Sequence, residues 1–255
     1  MKKFRLLIEY DGSSYHGWQV QNDVLTVQGI LEERVQRLTK SPTKVLGASR
    51  TDAGVHAFGQ VACFAAETRH DTEVIHRALN AVLPSDIRIL QVSESDISFN
   101  PRDDAVRKSY LYIISNERKS SVFLQRYTTL VKQKLDIHSM LQSSPVLLGE
   151  HDFASFMGAG SDIKNTVRTI CSLTIEPLEH LEFMSFSLRG NFIRIRIEAN
   201  GFLRHMVRNI VGTLIRIGRG IMSPEAMKDI LESKDRQLAG ETAPPNGLFL
   251  ERIVY

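Results

Sequence analysis

Residues 192–198 set Ile193, Ile195 and Ile197 against Arg194, Arg196 and Glu198 in strict alternation. A two-residue period belongs to an extended strand, because successive side chains leave the backbone on opposite faces. One face of this strand is apolar and the other charged, which suits a sheet covered on one side. Residues 4–10 behave alike, with Phe4, Leu6, Ile8 and Tyr10 facing one way. Between such strands the apolar spacing widens to the helical period. Thr26 caps an expected helix whose stripe is Val27, Ile30, Leu31, Val35 and Leu38, and residues 72–82 turn Val74, Ile75, Ala78, Leu79 and Val82 inward. The two periods alternate along the chain. That predicts a mixed α/β (α+β) fold with one sheet face left free for a ligand.

Further strands are expected at residues 44–46, 60–65, 87–92, 109–114, 167–175, 183–188 and 248–254. Further helices are expected at residues 136–142 and 203–217, with another opened by Ser223, Pro224 and Glu225. Residues 99–108 hold Pro101 and five charges but no apolar period, and they read as the link between two lobes, 1–104 and 105–255. No internal sequence repeat stands out.

The chain has no apolar run of about eighteen residues, and its opening turns acidic before a signal core forms, which argues against a membrane span or secretory signal. Cys63 and Cys171 lack metal-ligand spacing and read as reduced, buried thiols of a cytoplasmic protein, with a single disulfide left open. A net charge of +3 is too mild to identify a partner, so the placement of the cations has to carry that question. Gly158-Ala159-Gly160 lacks the third glycine of a dinucleotide fingerprint, and neither a phosphate-loop motif nor a serine nucleophile elbow is present. No cofactor and no metal is called for.

The densest polar group is Ser49-Arg50-Thr51-Asp52-Ala53-Gly54-Val55-His56, lying between two expected strands and flanked by Gly47. Its glycines permit tight bends that bring Asp52 to a loop tip. A carboxylate beside cations stays ionised and can act as nucleophile or base; the plainer reading is a turn or cap aspartate with a surface arginine. Tyr110 and Tyr112 share one strand face, with Arg107 and Lys108 just before them. Such a set can stack bases and hold phosphates, or it can simply be two tyrosines under a helix. Arg204, Arg208, Gly212 and Arg216 form one row on the expected helix 203–217. That row is either a solvated face or a phosphate grip from which one arginine turns inward to a carboxylate.

At these residues the chain resembles the tRNA pseudouridine synthase A family. The likeness is an ordered series: Tyr10-Asp11-Gly12 with residues 17–21, then 26–32, the loop 47–57, residues 108–112, 149–156, 167–170, 200–212 and 243–250. Ser49 departs from the glycine more usual there. The resemblance implies an isomerase that converts uridine to pseudouridine at positions 38, 39 and 40 of the tRNA anticodon stem-loop without a cofactor. It also implies a homodimer of two-lobed subunits whose antiparallel and mixed sheets merge across a central RNA-binding cleft. Asp52 resembles the essential aspartate, Arg208 its ion-pair partner and Tyr110 the tyrosine that stacks on the target base. Arg50 resembles the arginine that aids base displacement, and Leu248 the apolar residue beside the pocket. Arg204, Arg107 and Lys108 join them as substrate-binding cations. Two other readings compete: a non-catalytic tRNA-binding or tRNA-folding protein on the same scaffold, and an N-glycosidase that releases the base to water.

Overall fold

The computed structural model describes residues 1–160, 163–183 and 186–255. In chain order its elements are β1 (Lys2–Tyr10), α1 (Val27–Thr39), β2 (Leu46–Gly47), β3 (His56–Ala66), α2 (Thr72–Val82), β4 (Ile87–Ser95), β5 (Arg107–Ser115) and β6 (Thr129–Leu130). There follow α3 (Ile137–Ser143), β7 (Gly149–Asp152), β8 (Val167–Phe183), β9 (Phe186–Ala199), α4 (Met206–Gly218), α5 (Ala226–Ser233) and β10 (Leu248–Val254). The fold is mixed α/β. Two compact units divide it, one of Met1–Val106 with Phe249–Tyr255, the other Arg107–Leu248. The last strand thus belongs almost wholly with the N-terminal half.

In the first unit β1 lies antiparallel between β3 and β4, with Phe4 opposite Phe64 and Leu6 opposite Val92. Phe4, Leu6 and Ile8 are fully buried, as their alternation requires. The Thr26 hydroxyl caps α1 by accepting from the Gly29 amide at 3.3 Å, and Asp71 caps α2 by accepting from the Val74 amide at 2.8 Å. Arg5 stacks on Tyr255, its guanidinium 4.4 Å from the ring centroid, and Tyr255 donates to the Pro101 carbonyl at 2.8 Å. These contacts tie the chain end onto β1.

In the second unit β9 lies antiparallel between β5 and β8, and β7 pairs with the first residues of β8. Ile193, Ile195 and Ile197 are buried as the alternation demands. Residues 183–188 were expected as a strand of their own. Residues 184–185 of that segment lie outside the described residues, and from Phe186 onward it is the start of β9. The apparent break at Gly190 and Asn191 is a bulge: Leu178 faces Phe192 and His180 faces Arg189, so two residues of β9 oppose one of β8. Glu117 holds the bulge by accepting from the Asn191 amide at 2.6 Å. Pro177 sits where β8 has run past β7, on an edge that needs no amide donor.

Helix α4 begins at Met206, three residues later than the period suggests, because His205 takes a left-handed conformation with φ 60°. Most of α4 is buried around its whole circumference, so it is a core helix rather than an amphipathic surface one. Cys63 is buried and burial pushes its thiol pKa up, whereas Cys171 is exposed; neither is in a disulfide. The expectation of two buried thiols fails at Cys171, whose side chain points outward from β8. Among the described residues no helix is long and apolar enough to cross a membrane.

Candidate active site

The loop that carries Asp52 leaves the sheet where β3 changes neighbours. One flank of β3 is covered by β1. The other pairs first with β10, Phe249 opposite His56, and further along with β2, Gly47 opposite Ala62. Residues 48–55 emerge between these two pairings. Gln60, with no exposure, clamps the start of the loop: its amide donates to the Ser49 carbonyl at 2.7 Å and accepts from the Ser49 N–H at 3.2 Å. Thr51 is anchored by a buried 2.8 Å hydrogen bond between its hydroxyl and that of Tyr10, and its carbonyl accepts from the Trp18 amide at 3.0 Å.

Asp52 opens a tight turn closed by the Val55 amide donating to its carbonyl at 3.2 Å. Gly54, third in that turn, has φ +76°, a conformation that favours glycine. Beneath the turn, His56 accepts from the Gly12 amide at 3.1 Å and stacks on Phe249 with ring centroids 4.8 Å apart. His56 is buried and lies in β3 rather than in the loop. Asp52 is half-buried and Arg50 exposed. The loop is therefore a fixed turn that carries Asp52 and Arg50.

The second unit holds the other expected site residues. Tyr110, on β5, is 6% exposed and meets Phe202 edge-on, ring centroids 5.1 Å apart at 87°. Tyr112 departs from the stacking reading. It is sealed in the core, its hydroxyl 2.6 Å from that of Thr129 and donating to the Pro244 carbonyl at 2.8 Å. Burial drives its phenol pKa far up. Arg208, on α4, is half-buried and its Nε donates to the Ala243 carbonyl at 2.7 Å, while the Ala243 amide returns a 3.1 Å bond to the Arg208 carbonyl. The double link fixes residues 243–248 to α4 and so places Leu248, which is 5% exposed.

The expected arginine row dissolves. Arg204 precedes the helix, is exposed, and donates to the carbonyls of Ala159 and Gly160 at 3.0 and 3.2 Å. Gly212 is a point of backbone contact, since a Cβ there would fall 1.7 Å from the Glu241 carbonyl oxygen. Arg107 pairs with Glu198 at 3.2 Å, and Ser109 donates to the same carboxylate at 2.8 Å. Arg194 pairs with Glu176. Lys108 is half-buried on β5 opposite Ala199.

Two positioning residues escaped the sequence reading. Gln60 is one. The other is Asn209, fully buried on α4, which donates to the Phe156 carbonyl at 2.8 Å and accepts from Arg236 at 2.9 Å and Thr242 at 2.7 Å. In both cases the available signal was an amide side chain set in an otherwise apolar run.

A family model described as tRNA pseudouridine synthase matches residues 6–102 and 145–255. A tRNA pseudouridine synthase A from Thermodesulfovibrio yellowstonii is 42% identical over 255 residues, covering 100% of both chains. Proteins of the same name from Thermoanaerobacter sp. and Thermotoga maritima are 43% and 40% identical, again over 100% of both chains. Among solved structures, a chain of a Cbf5-Nop10-Gar1 complex covers 74% of this chain and 40% of its own length at 16% identity, with a TM-score of 0.30. That last likeness is too slight to bear on fold or function.

Proposed function

This chain belongs to the tRNA pseudouridine synthase family, and we propose that it isomerises uridine to pseudouridine in the anticodon stem-loop of tRNA, at positions 38, 39 and 40. The observation that carries the reading is full-length identity of 42% to a tRNA pseudouridine synthase A, joined to a loop whose hydrogen bonds fix the turn that opens at Asp52.

In the reaction the N1–C1′ bond of uridine breaks, the uracil turns, and C5 bonds to C1′. The C5 proton goes to solvent and N1 takes one up, so the step is a pure isomerisation. Asp52 acts as nucleophile or base and must be ionised, which a partnering Arg208 guanidinium favours. Extruding the target nucleotide costs a few kcal/mol, and stacking on Tyr110 offsets roughly 1–3 kcal/mol of it. Arg50 assists displacement from the loop, Leu248 packs beside the pocket, and Arg204, Arg107 and Lys108 contact the substrate. The proposal includes a cytoplasmic homodimer that uses no cofactor.

Tritium release from tRNA labelled at uridine C5 tests this directly. The expected result is release with the label lost from the anticodon stem-loop only, and mass-shift mapping places the product. Tight tRNA binding without release would favour the binding-protein reading, and abasic strand scission would favour an N-glycosidase.

A further inference from the structure

Arg168, at the start of β8, belongs to no expected site. It is half-buried. One of its nitrogens, Nη1, donates to the carbonyls of Asn165 at 3.0 Å and Val167 at 2.6 Å. Those acceptors are neutral backbone oxygens. No carboxylate among the described residues forms an ion pair with it. Elsewhere in the second unit Arg194 pairs with Glu176, and Arg236 has the charge of Glu241 nearby. Burial lowers the pKa of the Arg168 guanidinium.

A cation withdrawn from water without a counter-charge is unfavourable unless something anionic completes it. The carbonyl clamp leaves the Nε–Nη2 edge of Arg168, the parallel pair of N–H donors that matches two oxygens of a phosphate. The side chain is half-buried rather than sealed, so part of it meets solvent. Its position is specific. A Cβ on Gly201 would lie 3.6 Å from Arg168 Nε, and the next residue, Phe202, packs edge-on against Tyr110. Asn200 locks the same stretch to β8, its side-chain oxygen accepting from the Thr169 amide at 3.0 Å and its own amide donating to the Thr169 carbonyl at 3.1 Å. At the far end of that stretch stands Arg204, also held by carbonyls rather than by acids.

We propose that Arg168 is a phosphate-binding residue of this protein: its Nε–Nη2 edge receives a backbone phosphate of the tRNA, with Arg204 taking another on the opposite side of the Asn200–Arg204 stretch. The inference rests on the tRNA reading above and adds to it a defined anion site beside the tyrosine. Two arginines so placed fix where the strand runs past Tyr110 without reading its sequence.

The test compares wild type, Arg168→Met and Arg168→Lys for tRNA binding across a salt series, for steady-state pseudouridine formation, and for thermal melting without RNA. Expected for Arg168→Met are roughly tenfold weaker binding and a log Kd against log salt slope shallower by about one. KM should rise by more than kcat falls. Arg168→Lys should recover most of the slope, since it restores the charge without the fork. The melting temperature of the free protein should hold or rise, because an uncompensated cation has gone. An unchanged salt slope would overturn the proposal, as would a lowered melting temperature with binding losses that lysine does not rescue, which marks a purely structural arginine. Wild-type protein that binds tRNA with the predicted salt behaviour yet releases no tritium would sink the isomerase reading and leave the phosphate site standing.

Discussion

Gln60 grips Ser49 by both faces of its peptide, donating to the carbonyl at 2.7 Å and accepting from the amide at 3.2 Å. Three residues beyond Ser49 comes Asp52, so a side chain buried in β3 sets the base of the loop that the proposed chemistry depends on. Replacing Gln60 with Leu removes both bonds to the Ser49 backbone, at about 0.5–1.5 kcal/mol each. The expected outcome is a lowered denaturation midpoint together with a fall in kcat larger than the change in KM. A variant with normal kcat would show that the clamp does not position Asp52.

Asp52→Asn keeps the shape of the turn and removes the charge. Because the turn is closed by backbone bonds, this variant should melt like wild type and still bind tRNA. Its pseudouridine formation should fall by at least about a hundredfold, the lower range for removing an acid–base group. Tritium release within twofold of wild type would end the assignment of Asp52.

Trp18 is the single tryptophan, and a Cβ on Gly47 would lie 2.4 Å from its indole ring. Gly47→Ala must therefore displace either the ring or the strand, and overpacking of this kind costs about 1–3 kcal/mol. A shifted tryptophan emission maximum and a lower melting temperature should appear together. An unshifted spectrum with unchanged stability would mean that the indole does not pack on Gly47.

Asp152 supplies a pH test. The Thr166 hydroxyl, at 2.5 Å, holds its carboxyl below the usual carboxylate range; burial opposes this, and Lys234 and the Ala154 amide add to the lowering. A depressed folded-state pKa contributes stability that is fully present above the unfolded value, 3.8 for a model aspartate, and lost as the pH falls through the folded value. Asp152→Asn should thus be less stable than wild type at neutral pH, with the gap closing below about pH 4 in acid titrations of the unfolding midpoint. A gap that persists unchanged in strong acid would refute the linkage.

Much of this was written in local pattern. The alternation in residues 4–10 and 192–198 puts Phe4, Leu6, Ile193 and Ile195 inside because the strand period is a property of the backbone alone. Thr26 caps its helix because an N-terminal amide needs a nearby oxygen whatever surrounds it. The resemblance across ordered blocks likewise singled out the loop of Asp52 before any fold was in view. Other residues misled. The row of Arg204, Arg208, Gly212 and Arg216 was drawn on a helix that in fact starts at Met206, after a left-handed His205.

What only the tertiary structure decided are the relationships between residues distant in sequence. Sequence placed Gln60 and Asn209 in apolar runs without saying which backbone they would hold, and it gave Arg168 no role at all. Periodicity is set by a few neighbouring torsions and survives in one dimension. Whether an arginine meets a carboxylate, a carbonyl or an empty edge depends on segments brought together by packing, such as Gly201 against Arg168 and Ala243 against Arg208. Buried charge and hydrogen-bond satisfaction are consequences of that packing, and so they become visible once the chain is folded.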